Sequence, residues 1–189
     1  MYSYLTQLTV KHLINFVGVK YHTLNLWINS GLLLTNEFID PGSGNARQFN
    51  FTHVCYAKIV YEVLKCTNSY EIAKATVEEV DNFINFPLDS LLPDTMYNPI
   101  TDDGKAEFFM LTNLFLYVIP KKDNRGSLSK PTFYWTYGKQ DFGMLPEEIR
   151  EADRSVILIP VGNIIKKVDD FFREIEKNEN NHRKEDKIS

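Results

Sequence analysis

Lys20, Tyr21, His22, Thr23, Asn25 and Asn29 crowd one short stretch, GVKYHTLNLWINSGLL over residues 18–33, and Arg47 follows a turn-rich segment. These side chains suit nucleic acid. An ammonium or guanidinium meets a phosphate, an Asn amide can pair bidentately with adenine, and a helix start offers free N–H groups to an anion. Leu24, Trp27 and Ile28 recur at i, i+3, i+4, the period of one helix face. With that stripe turned inward, Lys20, Tyr21, His22, Asn25 and Asn29 are left on the outer side. A helix that only covered a core would have no need of those types there. A merely solvated polar face is the bland alternative, and the pattern in isolation fits it too.

The flanking elements give that helix a setting. Thr9 can cap a helix whose apolar positions Val10, Leu13, Ile14 and Val17 are helically spaced, and Gly18 ends it. A second helix covers about residues 21–30 and stops at Gly31. Helix, glycine turn, helix is a helix-turn-helix candidate, in which the second helix enters the major groove with its N-terminal residues at bases and phosphates. The cluster Asp40-Pro41-Gly42-Ser43-Gly44-Asn45 separates two β-compatible pieces, 33–39 and 46–49, and predicts a small hairpin. That wing sets Arg47 beside the second helix, where it can reach phosphate or minor groove. Further helices are expected over about 52–64 and 69–86.

Residues 9–64 resemble the MerR-type winged helix-turn-helix family. The resemblance rests on Gly18-Val19, the three positions Lys20-Tyr21-His22, then Thr23-Leu24, Trp27, Gly31-Leu32-Leu33, and Arg47-Gln48-Phe49 after the wing. It covers about a third of the chain and runs without gaps from Gly18 to Leu33. It implies binding to double-stranded DNA as a dimer on a pseudo-palindromic site. The chain departs from the family's pattern at Asn25, where an Arg is usual, at Ile28-Asn29, where a charged pair is usual, and at His53, where an acid is usual. Those departures imply weaker phosphate anchoring and a shallower salt dependence. They leave open a degenerate frame recruited for protein contacts.

The second half reads as a small α+β unit. Pro87, Pro93 and Pro99 mark residues 87–104 as a linker between a first domain, 1–86, and a second, 105–178. Strands are expected at 107–120, 132–137 and 155–161, a polar loop at 121–130, a helical turn starting at Pro146, and a helix over 163–178. Ile165, Val168, Phe172 and Ile175 have the spacing of a packed seam, which could join two copies or cover the chain's own sheet. Residues 179–189 are expected to be a flexible charged tail. Tyr134, Trp135, Tyr137 and Phe142 form an aromatic cluster that could line a pocket for an apolar or cationic small-molecule effector; core packing is the plainer reading.

Composition removes several function classes. Residues 1–74 hold six basic and four acidic side chains, a net of +2, which leaves −6 for the rest of a chain of total charge −4. A mildly basic module on an acidic body suits one anionic partner and not generic polyanion binding. Cys55 and Cys66 make no metal-binding spacing and read as small core residues; no metal or other cofactor is implied. There is no Gly-rich phosphate loop, no HExxH and no nucleophile elbow, so no enzyme is expected. The apolar runs are too short or too interrupted to span a membrane, and a cytoplasmic setting is expected. The expected fold class is therefore α+β: an N-terminal winged helix-turn-helix, mostly α with a small β wing, then a small α+β domain ending in a helix. The expected function is a dimeric DNA-binding transcriptional regulator. The alternatives are a protein-interaction or assembly module, or a small-molecule-responsive regulator.

Overall fold

The computed structural model describes residues 8–33, 47–85, 114–122, 128–137, 147–150 and 156–185. In chain order the elements are β1 (Leu8–Thr9), α1 (Val10–Val17), α2 (Tyr21–Asn29), β2 (Gln48–Phe49), α3 (Phe51–Thr67), α4 (Tyr70–Asn85), β3 (Leu114–Lys122), β4 (Leu128–Tyr137), α5 (Glu147–Arg150), β5 (Ile157–Ile159) and α6 (Val161–Glu185). Helices and two small antiparallel sheets, β1-β2 and β4-β3-β5, make a mixed α+β chain. No described helix is long and apolar enough to cross a membrane. The chain divides into two compact units, residues 1–58 with 164–189, and residues 59–163. The linker expected at 87–104 lies outside the described residues.

In the first unit, α1 starts where Thr9 accepts the His12 N–H and His12 Nδ1 accepts the Thr9 N–H, each at 3.5 Å. The helix ends at Gly18, whose φ of +84° lets its N–H turn back to the Ile14 carbonyl. α2 ends likewise before Gly31, φ +68°, as sequence spacing predicted. Leu13, Val17, Leu24 and Trp27 are buried, so α1 and α2 face each other with their apolar stripes. β2 pairs with β1, Leu8 opposite Phe49 and Thr9 opposite Gln48. The strand expected to join a hairpin across the 40–45 turn thus pairs with the residues that precede α1, a long-range partner that local pattern does not show. Its expected neighbour, 34–39, lies outside the described residues.

The C-terminal helix belongs to this first unit from Ile164 on. Phe171 stacks on Phe16 of α1 with ring centroids 4.5 Å apart, and Phe172 packs on Phe51 of α3 at 5.6 Å. Ile165, Val168 and Phe172 are buried and Ile175 half-buried. Of the two readings the seam's spacing left open, packing within the chain accounts for Phe172, which lies against Phe51, and Ile165 and Val168 are buried as well. The helix also runs through Glu185, beyond the expected end at 178, because no Gly or Pro interrupts residues 179–185. The expected flexible tail therefore shrinks to residues 186–189, which lie outside the described residues.

In the second unit, β3 pairs with β4 from Leu114↔Tyr137 to Lys122↔Leu128, so β4 starts inside the expected polar loop. The register shifts between Ile119 and Lys121, where Pro120 and Pro131 have no N–H to give the ladder. Ile119 and Ile149 form a small core with Tyr117, Tyr134 and Val156 against it. α4 starts on Ser69, whose hydroxyl accepts the Ile72 N–H at 3.3 Å, and packs on β4 through Phe83 and Trp135, ring centroids 4.1 Å apart.

Cys55 is buried in α3, and burial pushes its thiol far above the usual range; Cys66, near the helix end, is exposed and not the core residue expected. Thiol titration should therefore find one reactive cysteine per native chain and two after unfolding; two in the native state would contradict the packing of α3. Trp27 is 2% exposed, and among the described residues its indole N–H has no hydrogen-bond partner. Trp27→Ala should lower unfolding free energy by about 3–5 kcal/mol. Trp27→Phe should lose less, because it also removes a buried unpaired donor that costs about 1–3 kcal/mol. Denaturant melts compare them, and equal losses would show that the donor is satisfied.

Candidate nucleic-acid interface

Burial of Leu24 and Trp27 sets the rotation of α2. With these two inward, the helical period puts His22, Leu26 and Asn29 on one outward row at i, i+4, i+7, and Tyr21 and Asn25 on a second at i, i+4. Lys20, Tyr21, His22 and Asn29 are exposed, Thr23 and Asn25 half-buried. Thr23 lies on the flank of the helix, off both rows. Lys20 is the N-cap, and its side chain makes no capping bond. α1, α3 and α4 are capped by Thr9, Asn50 and Ser69, so α2 differs in offering its first N–H groups uncovered by a capping side chain.

Arg47 meets this helix directly. Its Nη1 donates to Asn25 Oδ1 at 2.9 Å. A guanidinium only donates, so the amide atom facing it must be the oxygen. Two expected site residues, 22 positions apart, are thus one unit. Asn25 is not the free two-pronged amide the adenine reading assumed: one lone pair of its oxygen is held by Arg47. Arg47 is in turn fixed from behind, since Phe49, two residues on, is fully buried opposite Leu8. The next helix begins with a reciprocal cap. His53 N donates to Asn50 Oδ1 at 3.0 Å and Asn50 N donates to His53 Nδ1 at 3.2 Å.

Residues 8–33 and 47–61 contain no Asp or Glu and carry Lys11, Lys20, Arg47 and Lys58. The unit's acids among the described residues sit on α6, where Asp169 is buried with Arg173 Nε 2.8 Å from its carboxylate.

One residue on the outward face escaped the sequence reading. Leu26 is 51% exposed and Tyr21 57%, and among the described residues only Tyr70 and Leu158 are comparable large apolar side chains in water. The signal was present: Leu26 is an apolar residue off the Leu24–Trp27 stripe, one turn after His22.

Of the expected aromatic cluster, the side chains of Tyr134 and Trp135 are described, and they lie on opposite faces of β4. Neighbouring strand residues point to opposite faces, so Tyr134 packs on the Ile119–Ile149 core while Trp135 stacks on Phe83 and donates its indole N–H to Glu79 Oε1 at 2.9 Å. Phe142 and the side chain of Tyr137 lie outside the description. Among the described residues no three His, Cys, Asp or Glu side chains converge as a metal-binding group.

Arg47→Ala and Asn25→Ala should be strongly non-additive. Each single change removes the same hydrogen bond, so a double-mutant cycle on unfolding free energy should give a coupling of about 0.5–1.5 kcal/mol. Additive losses would mean that the two side chains do not hold each other in solution.

Comparison with protein-family models and with curated proteins found no match.

Proposed function

We propose that the outward rows of α2, with Arg47 beside them, are a double-stranded DNA-binding surface, and that residues 9–64 act as a MerR-like winged helix-turn-helix of a transcriptional regulator. The observation that carries this is the Arg47–Asn25 bond. It holds a guanidinium against an exposed, acid-free helix face instead of leaving it to swing in water. In such an arrangement Arg47 and Lys20 take phosphates, the uncovered start of α2 takes a third backbone contact, and His22 and Asn29 face base edges. Asn25 then serves first to aim Arg47.

Regulators of this kind bind as symmetric pairs. The Ile165–Phe172 seam is already covered within the chain, so self-association must use another surface. A second reading, a protein-interaction module on the same frame, would use the exposed apolar side chains Tyr21 and Leu26, which stand on separate rows of α2. A small-molecule-responsive regulator gains nothing from Tyr134 and Trp135, which lie on opposite faces of β4.

Fluorescence anisotropy on labelled duplex across a salt series separates the first two readings. DNA binding should weaken linearly on a log–log plot, with a slope of about −2 to −3 per protomer for two or three phosphates neutralised. Arg47→Ala should weaken all sequences alike and make that slope shallower by about 1. Absence of saturable binding, or binding indifferent to salt, would favour the protein-interaction module.

A further inference from the structure

Leu26 has no role in the core and no polar atom for a phosphate. It is half-exposed on the row His22–Leu26–Asn29, with polar neighbours one turn before and one turn after. Single exposed leucines are ordinary on protein surfaces and need no function. This one stands at the middle of the only described helix whose outward face also carries Arg47 and an uncapped start. The other exposed apolar side chain of α2, Tyr21, belongs to the second row. Five positions separate the two, which turns them about 140° apart around the axis at 3.6 residues per turn. They do not merge into the contiguous apolar patch that a protein partner needs. What the row offers is one small apolar spot framed by hydrogen-bonding groups.

The major groove has one matching feature. Every base edge there presents donors and acceptors, and thymine alone adds an apolar group, its 5-methyl. We propose that Leu26 is a specificity determinant that packs on a thymine 5-methyl group, with His22 and Asn29 facing the neighbouring base edges. This rests on the DNA-binding reading above and names what that surface selects. Phosphate contacts set affinity across all sequences, and Leu26 sets a preference at one base pair.

The test uses the full chain and duplexes recovered by selection from a randomised library. Each thymine in the recovered site is replaced singly by deoxyuridine, which lacks only the methyl. Wild-type protein should lose about fourfold in affinity at one thymine per half-site, the worth of one buried methyl-sized contact. Leu26→Ala should bind more weakly and be indifferent to that same replacement, while Leu26→Met, which keeps an apolar side chain, should retain the sensitivity. Circular dichroism confirms that the variants are folded, as expected for a half-exposed position. Equal deoxyuridine losses in wild type and Leu26→Ala, or no sensitive thymine, overturn the assignment and leave DNA binding intact. Failure to enrich any sequence, with no salt-dependent binding, overturns the DNA reading and the assignment together.

Discussion

Two side chains three positions apart decide which way α2 faces. Leu24 and Trp27 are buried, and each contributes on the order of 1.5–3 kcal/mol relative to exposure. Turning the helix by one residue, about 100°, would expose one of them and bury polar groups of the outer rows. No hydrogen bond on the surface competes with that difference. The unpaired Trp27 indole N–H subtracts from it without reversing it. Gly18 and Gly31, each in the left-handed region, fix where the helix begins and ends, so the rows are set in translation as well as rotation. The outward face of α2 is thus a by-product of packing: what stays out is whatever the stripe does not take in.

The rest of the first unit keeps that helix in place with few residues. The β1-β2 pair is two residues long, yet each strand runs straight into a capped helix, Thr9 into α1 and Asn50 into α3. In both, the residue three positions on is a histidine whose Nδ1 accepts the backbone N–H of the capping residue. His53 performs the reciprocal half of the Asn50 cap by accepting through Nδ1. On the far side, Phe171 and Phe172 close the unit on Phe16 and Phe51, so the C-terminal helix acts as a brace and not as a free arm.

What was legible in the sequence was what local period and capping chemistry determine. α1, α2, both glycine stops, the Thr9 cap, α4 on Ser69 and the strand at 132–137 all follow from spacing within a window of about a dozen residues. What was not legible depends on partners far along the chain. The pairing of Phe49 with Leu8 spans forty residues and leaves only two-residue strands, too short for any alternation to show. The covering of Phe172 by Phe51 cannot be told from a dimer seam by spacing, since both demand the same period. The aromatic cluster is different: Tyr134 and Trp135 are neighbours in an expected strand, and a period of two already sends them to opposite faces. Composition drew attention to that stretch, and the pleat separates these two.

The Arg47–Asn25 pair sets the character of the surface beside α2. An Arg at position 25 would have given the surface one more charge but placed it within reach of the Arg47 guanidinium, where like charges repel and both side chains turn outward. Asn25 supplies an acceptor instead, and the 2.9 Å bond ties Arg47 to the helix. Fewer charges lower the non-specific, salt-driven attraction to any duplex. A tethered guanidinium gives up less side-chain freedom on meeting a phosphate, and the contact is made at one place and one angle. On the proposed DNA-binding reading, a surface so built leans less on charge and more on fit, which leaves more of the recognition to the outward row of His22, Leu26 and Asn29.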